Sequence, residues 1–155
     1  MVVRSTLLAA LVLCAVIGTS VATGATAQGV RVVDAVNVTV SREEVAHGLD
    51  GEEMTVGETA GRTWRSAAGW FSYTLRIYED TPLTVVCMFA DTSGVPEAFD
   101  ILVDDSKVAT NREFKITLPL AETAGKSQVT VTFRAHPGAR TARLLELRTV
   151  QEHLE

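Results

Sequence analysis

The sequence predicts an all-β fold, an antiparallel β-sandwich of the jelly-roll kind, and three observations carry that expectation. Apolar and polar residues alternate with a period of two from Trp70 to Ile77 and again from Gln128 to Arg134, the pattern of strands with one buried face. Short apolar runs recur at intervals of roughly ten residues, separated by turn-forming residues. After Gln28 no stretch has the length and periodicity of a long amphipathic helix. Such folds serve binding at least as often as catalysis, so the class alone leaves the activity open.

Taken in order, residues 1–27 read as an export signal. Arg4 supplies the positive start, Leu7 to Ile17 the apolar run, and Ala25-Thr26-Ala27 the small residues before a cut at Gln28. The apolar run gives way to Gly18, Thr19 and Ser20, short of the ~20 residues a membrane span requires. Cys14 does not make a lipoprotein site, because the residue before an acylated cysteine is small and Leu13 is not. The sequence therefore predicts a secreted or periplasmic protein with no stable membrane anchor, a single module over 28–150 and a tail over 151–155.

The N-terminal part of that module offers weak strands at Val30 to Val33 and Val36 to Val40, then at most one helical turn around Ser41 to Gly48. In the strand that starts at Trp70, the residues Phe71, Tyr73, Leu75 and Ile77 face inward. Glu79-Asp80-Thr81-Pro82 is a turn, and Leu83 to Ala90 is a strand placed beside the previous one as a hairpin. Phe99 to Val103 and Lys107 to Thr110 form a second hairpin around Asp104-Asp105. Phe114 to Leu118 is a short strand stopped by Pro119. In the next strand Val129, Val131 and Phe133 face inward, His136-Pro137-Gly138 closes it, and Ala142 to Val150 is the last.

The chain has 155 residues, 46% hydrophobic and 21% charged, which suits one globular domain and excludes a disordered or collagenous chain. Its net charge of −5, made more negative by loss of the signal, argues against a nucleic-acid partner. Cys87, within the apolar run Thr84 to Phe89, reads as a buried small hydrophobe. The three histidines, His47, His136 and His153, have neither zinc-ligand spacing nor a nucleophile motif beside them, which leaves catalytic and metal residues unassigned. The acid pairs Glu43-Glu44, Glu52-Glu53 and Asp104-Asp105 read first as solvated charge. Adjacent carboxylates on a strand point to opposite faces, which weakens a glycosidase reading that needs two flanking acids. Calcium at Asp104-Asp105, with Asp91 or Asp100, is the alternative for the third pair.

One cluster stands apart. Both tryptophans, Trp64 and Trp70, fall within seven positions of each other and beside Arg62 and Arg65. Indole faces pack on the apolar faces of sugar rings while guanidinium groups bond the hydroxyls, so Trp and Arg on a loop make a carbohydrate surface. His136, leaving the strand that contains Phe133, is a second candidate rim. The competing reading has Trp70 capping the core and the arginines paired with nearby acids.

The order of motifs resembles the C-terminal β-sandwich module of glycoside hydrolase family 127 and related β-L-arabinofuranosidase-like proteins. The blocks are Glu44-x-x-His47-Gly48, Gly61-Arg62-x-Trp64-Arg65, Gly69-Trp70-Phe71-Ser72-Tyr73, Phe99-Asp100-Ile101-Leu102-Val103-Asp104, Val108-Ala109-Thr110 and Gly125-Lys126-x-x-Val129-Thr130-Val131-x-Phe133-x-Ala135. The resemblance covers the chain from about Val33 to Thr149. The resemblance implies a galactose-binding-like jelly roll, similar to carbohydrate-binding modules of families 6 and 35, without the helical domain that performs hydrolysis in that family. Three positions depart from the pattern: a short Asn111-Arg112-Glu113 loop, Arg140 to Leu145 in place of a glycine-rich approach, and Asp105 where glycine is usual. The expectation is a secreted, non-catalytic module that binds a polysaccharide or glycan through Trp64, Arg65, Trp70, Arg62 and His136, in company with a glycoside hydrolase. The alternatives are a protein-interaction domain docking on a separate enzyme or surface partner, and a small glycosidase.

Overall fold

The computed structural model describes residues 29–91 and 94–152; the export signal expected over 1–27 and His153 lie outside them. The strands are β1 (Val30–Asn37), β2 (Asp50–Thr59), β3 (Arg62–Arg76), β4 (Leu83–Phe89), β5 (Phe99–Val103), β6 (Ser106–Thr110), β7 (Lys115–Leu118), β8 (Gln128–Ala135) and β9 (Leu144–Glu152). Two short helices, α1 (Ser41–Ala46) and α2 (Leu120–Thr123), interrupt them. All strand pairs are antiparallel. One group runs β6-β5-β8-β3-β2, the other β1-β9-β4-β7, and a single Arg65–Leu144 bridge joins β3 to β9. The fold class expected from the sequence, an antiparallel sandwich, is the fold observed.

β3 turns the corner between the groups. Its second half, Trp70 to Arg76, pairs with β8, while its first half reaches β9. The change falls at a bulge, where Ala68 and Gly69 oppose Glu53 alone, and Glu53 sits at φ 53°. Bulges bend a strand and let it switch layers. Gly69 permits the close approach, since a Cβ there would stand 2.8 Å from the Glu52 carbonyl oxygen.

The core lies between the layers. Phe71, Tyr73 and Leu75 of β3 meet Val129, Val131 and Phe133 of β8 and Leu83, Val85 and Cys87 of β4, all buried. Phe71 stacks on Phe133 at 5.0 Å, and Phe89 meets Phe99 and Phe133 edge-on. Each such side chain withdrawn from water contributes roughly 1.5–3 kcal/mol before ordering costs. Burial pushes the Cys87 thiol up to about 12, in keeping with an inert core residue.

The inward sets of β3 and β8 and the β5–β6 hairpin match the sequence reading. Asp104 and Asp105 form its turn at φ 47° and 65°, conformations that aspartate tolerates in glycine's place. Four expectations need correction. Residues 50–59, left unassigned, form β2, and β3 begins at Arg62, so Trp64 and Arg65 lie on a strand and not on a loop. β3 and β4 do not pair; β4 lies between β9 and β7 in the other layer, because the 77–82 segment crosses over the sandwich. The two weak N-terminal strands are one, β1, with a bulge between Val32 and Asp34. Glu44, read as solvated charge, is buried. Among the described residues no helix is long and apolar enough to cross a membrane.

Candidate functional site

The β2–β3 hairpin turns at Ala60 and Gly61, at φ 50° and 72°, the positive values that two-residue hairpin turns favour. Its register sets Trp64 opposite Gly57, and the indole lies where a Gly57 side chain would be: a Cβ there would stand 2.2 Å from Trp64 Cζ2. Trp64 Nε1 donates to Thr59 Oγ1 at 3.0 Å, and the Arg143 guanidinium lies over the ring, 4.4 Å from its centroid. An arginine in this position is held by the negative face of the indole.

The residues before β9 form the facing wall. His136-Pro137-Gly138 makes a turn closed by Ala139 N–H donating to the His136 carbonyl, with proline second and Gly138 third at φ 78°, as a type II turn requires. The chain then lies along β3. Ala67 N–H donates to Thr141 Oγ1 and Thr141 N–H to the Ala67 carbonyl, both at 2.9 Å. Ala90 N–H donates to the Arg143 carbonyl, which fixes the backbone from the other side. Between this wall and the hairpin is a cleft of about 290 Å³, lined by Trp64, Ser66, Val95, Glu97, Arg140 and Arg143 together with Thr55 and Thr141. Arg140 donates to Thr55 Oγ1 at 2.6 Å, across the cleft.

Of the residues that the sequence singled out, Trp64 lines this cleft and the other four do not. Arg65 points to the interior, where Nε and Nη2 donate to the two Glu44 oxygens at 2.8 and 2.9 Å. Tyr73 donates to Glu44 Oε1 at 2.6 Å. Burial alone would lower the Arg65 guanidinium's affinity for its proton, but the bonds to Glu44 raise it above the ordinary value; burial and the same carboxylate push the Tyr73 hydroxyl well up. Trp70 is half-buried in a cross-strand row between Glu52 and Arg134. Arg62 reaches Met88 Sδ, and His136 Nε2 stands 3.1 Å from Asp100 Oδ1. The residues that sequence reasoning passed over, Arg140 and Arg143, come from the stretch where the chain departs from the resembled family.

A second cleft, of about 510 Å³, is lined in part by Asp34, His47 and Arg76. Asp34 is occupied there: it accepts from the Arg76 backbone N–H at 2.8 Å and lies 3.1 Å from His47 Nε2. These bonds outweigh its burial and hold its carboxyl below the ordinary range. Asp100 is held low too, chiefly by Lys107 at 3.0 Å, and Asp104 faces Lys126 at 2.9 Å. Two of the carboxylates weighed for calcium, Asp100 and Asp104, are thus turned to cationic side chains, and no group of three His, Cys, Asp or Glu placed to hold a metal occurs among the described residues.

The fold and cleft define an all-β sandwich with a shallow site at one end, built from one hairpin and the approach to the last strand. The chain belongs to the family of unknown function DUF6805, which it matches over residues 29–150. In structure it is similar to a family 35 carbohydrate-binding module from Clostridium thermocellum, with a TM-score of 0.55 and 7% identity over 74% of this chain and 96% of that one. It is also similar to an exo-β-1,3-galactanase from Phanerochaete chrysosporium solved with β-1,3-galactotriose, with a TM-score of 0.52 and 10% identity. That match covers 77% of this chain but only 29% of the galactanase. At such identities the likeness is one of fold. A search of curated proteins finds no match.

Proposed function

We propose that the protein is a non-catalytic carbohydrate-binding module and that the ligand lies in the Trp64 cleft. The observation that carries this reading is the cleft itself: an indole bearing a guanidinium, facing hydroxyl and arginine side chains across a space of about 290 Å³. With Gly57 against one face of the indole and Arg143 over the other, the ring offers a sugar its open edge, with hydrogen-bonding groups around it. The fold shared with a carbohydrate-binding module supports the reading. The motif order resembling the accessory module of glycoside hydrolase family 127 supports placing it, exported, beside a glycoside hydrolase acting on the same polymer. Arg65 then acts behind the site, by fixing β3, and Trp70, Arg62 and His136 contribute only to contacts beyond the cleft.

Affinity should be modest, on the order of micromolar to millimolar, because a shallow polar site retains little net energy after desolvation. The test is retention of the full chain on insoluble plant and bacterial glycans and on a glycan array. Trp64→Ala should reduce retention at least about tenfold, the loss of one well-packed aromatic contact, at a temperature where the variant is shown to remain folded. Undiminished retention by that variant moves the site elsewhere.

A second reading, a protein-docking domain, has one observation in its favour. Among the described residues β2 pairs only with β3, and it carries Met54 and Val56 at 36% and 55% exposure beside its other edge. Absence of glycan retention together with capture of a co-exported hydrolase would favour it.

A further inference from the structure

The Trp64 cleft is a cationic site on an acidic protein. The chain's net charge is −5, and four of its arginines are set against acids: Arg65 against Glu44, Arg76 against Asp34, Arg112 against Glu97 and Arg148 against Glu146. The two arginines that line the cleft directly are not among them. Arg140 bonds only a threonine hydroxyl, and Arg143 lies on an indole ring; neither meets a carboxylate among the described residues. The acid lining the cleft, Glu97, is gripped by Arg112 through two bonds of 2.7 and 2.9 Å.

Two half-buried guanidinium groups without counter-charges have given up part of their hydration without gaining an ion pair, and an incoming anion supplies what they lack. The backbones that carry them are pinned, Arg140 N–H to the Pro96 carbonyl at 3.2 Å and the Arg143 carbonyl to Ala90 N–H at 2.8 Å. The indole holds the Arg143 guanidinium 4.4 Å from its centroid. A planar fork held in place is suited to a carboxylate or a sulfate, which accept paired N–H bonds, more than to lone hydroxyls.

We infer that the ligand is an acidic saccharide whose carboxylate or sulfate is held by Arg140 and Arg143, with its ring against Val95 and the open edge of the Trp64 indole. This rests on the carbohydrate reading above and adds the charge of the ligand to it. Long-range attraction does not supply this selectivity, since the protein as a whole repels anions; the two arginines must do so locally.

The experiment is calorimetric titration of the full chain with trigalacturonate, its methyl ester, neutral galactotriose, a sulfated galacto-oligosaccharide and oligoglutamate. Trigalacturonate or the sulfated sugar should bind at least about tenfold more tightly than the methyl ester and galactotriose, the scale of a charge-assisted pair. Arg143→Gln and Arg140→Gln, each checked for unchanged thermal unfolding, should remove most of that difference, and Arg143→Lys should restore part of it. Whichever anion is preferred identifies the ligand's source. Equal binding of uronate and ester overturns the inference and leaves a neutral-sugar module. Oligoglutamate binding as tightly as trigalacturonate overturns it in favour of anion exchange. Failure of every saccharide to bind overturns the carbohydrate reading as well.

Discussion

Glu44 is a single carboxylate serving both halves of a bent strand. Arg65 precedes the β3 corner and Tyr73 follows it, and Glu44 bonds both from α1. Its neighbour Glu43 does a different job, accepting from Asn37 N–H at 2.9 Å. Removing one member of a buried ion pair strands the other. Glu44→Ala should therefore lower unfolding free energy in urea by about 3 kcal/mol, and adding Arg65→Met should recover part of the loss. A loss below about 1 kcal/mol would show that water enters and solvates Arg65. Little of this was legible in the sequence. Two adjacent glutamates before a histidine look like surface charge, and only the tertiary fold brings Arg65 and Tyr73 onto one of them. The site arginines were hidden for the same reason: Arg140 and Arg143 lie far along the chain from Trp64, and nothing in their own neighbourhood marks them as facing an indole.

The strands that were legible are those with one face in the core. In β3 and β8 the alternation of side chains records the two environments directly, β4 was legible as a nearly unbroken apolar run that reads as buried on both faces although only alternate residues are buried, and in β5 and β6 the Asp104-Asp105 turn fixes the hairpin. β2 was not legible because almost none of it is buried; its burial comes only to Gly51 and Gly57 partly covered, so Asp50 to Thr59 shows no period. An edge strand of this kind is specified by its partner and not by its own sequence. Yet its Gly57 decides where the Trp64 indole lies. Gly57→Ala should cost up to about 1 kcal/mol of stability, since the indole is half-exposed and can yield, but should displace it from under Arg143 and weaken ligand retention about as much as Trp64→Ala. Retention equal to that of the unaltered protein would mean that the ring position does not matter for binding.

At the scale of the whole molecule, β3 belongs to both layers, so neither layer can come apart alone. Trp64 reports on one end of that strand and Trp70 on the other, with the corner between them. Trp64→Phe and Trp70→Phe variants each leave a single fluorescent probe, and their urea transitions should coincide within error, as cooperative unfolding requires. Separated midpoints would divide the sandwich into two units. The pairing of β1 with β9 has a further consequence, one of timing. Among the described residues no other strand pairs with β1, and β9 also supplies the middle of its layer, between β1 and β4. A ribosome making this chain must add more than a hundred residues after β1 before β9, its partner among the described strands, emerges. Until then the layer has a gap at its centre, so the sandwich closes after synthesis of β9 and not progressively during translation.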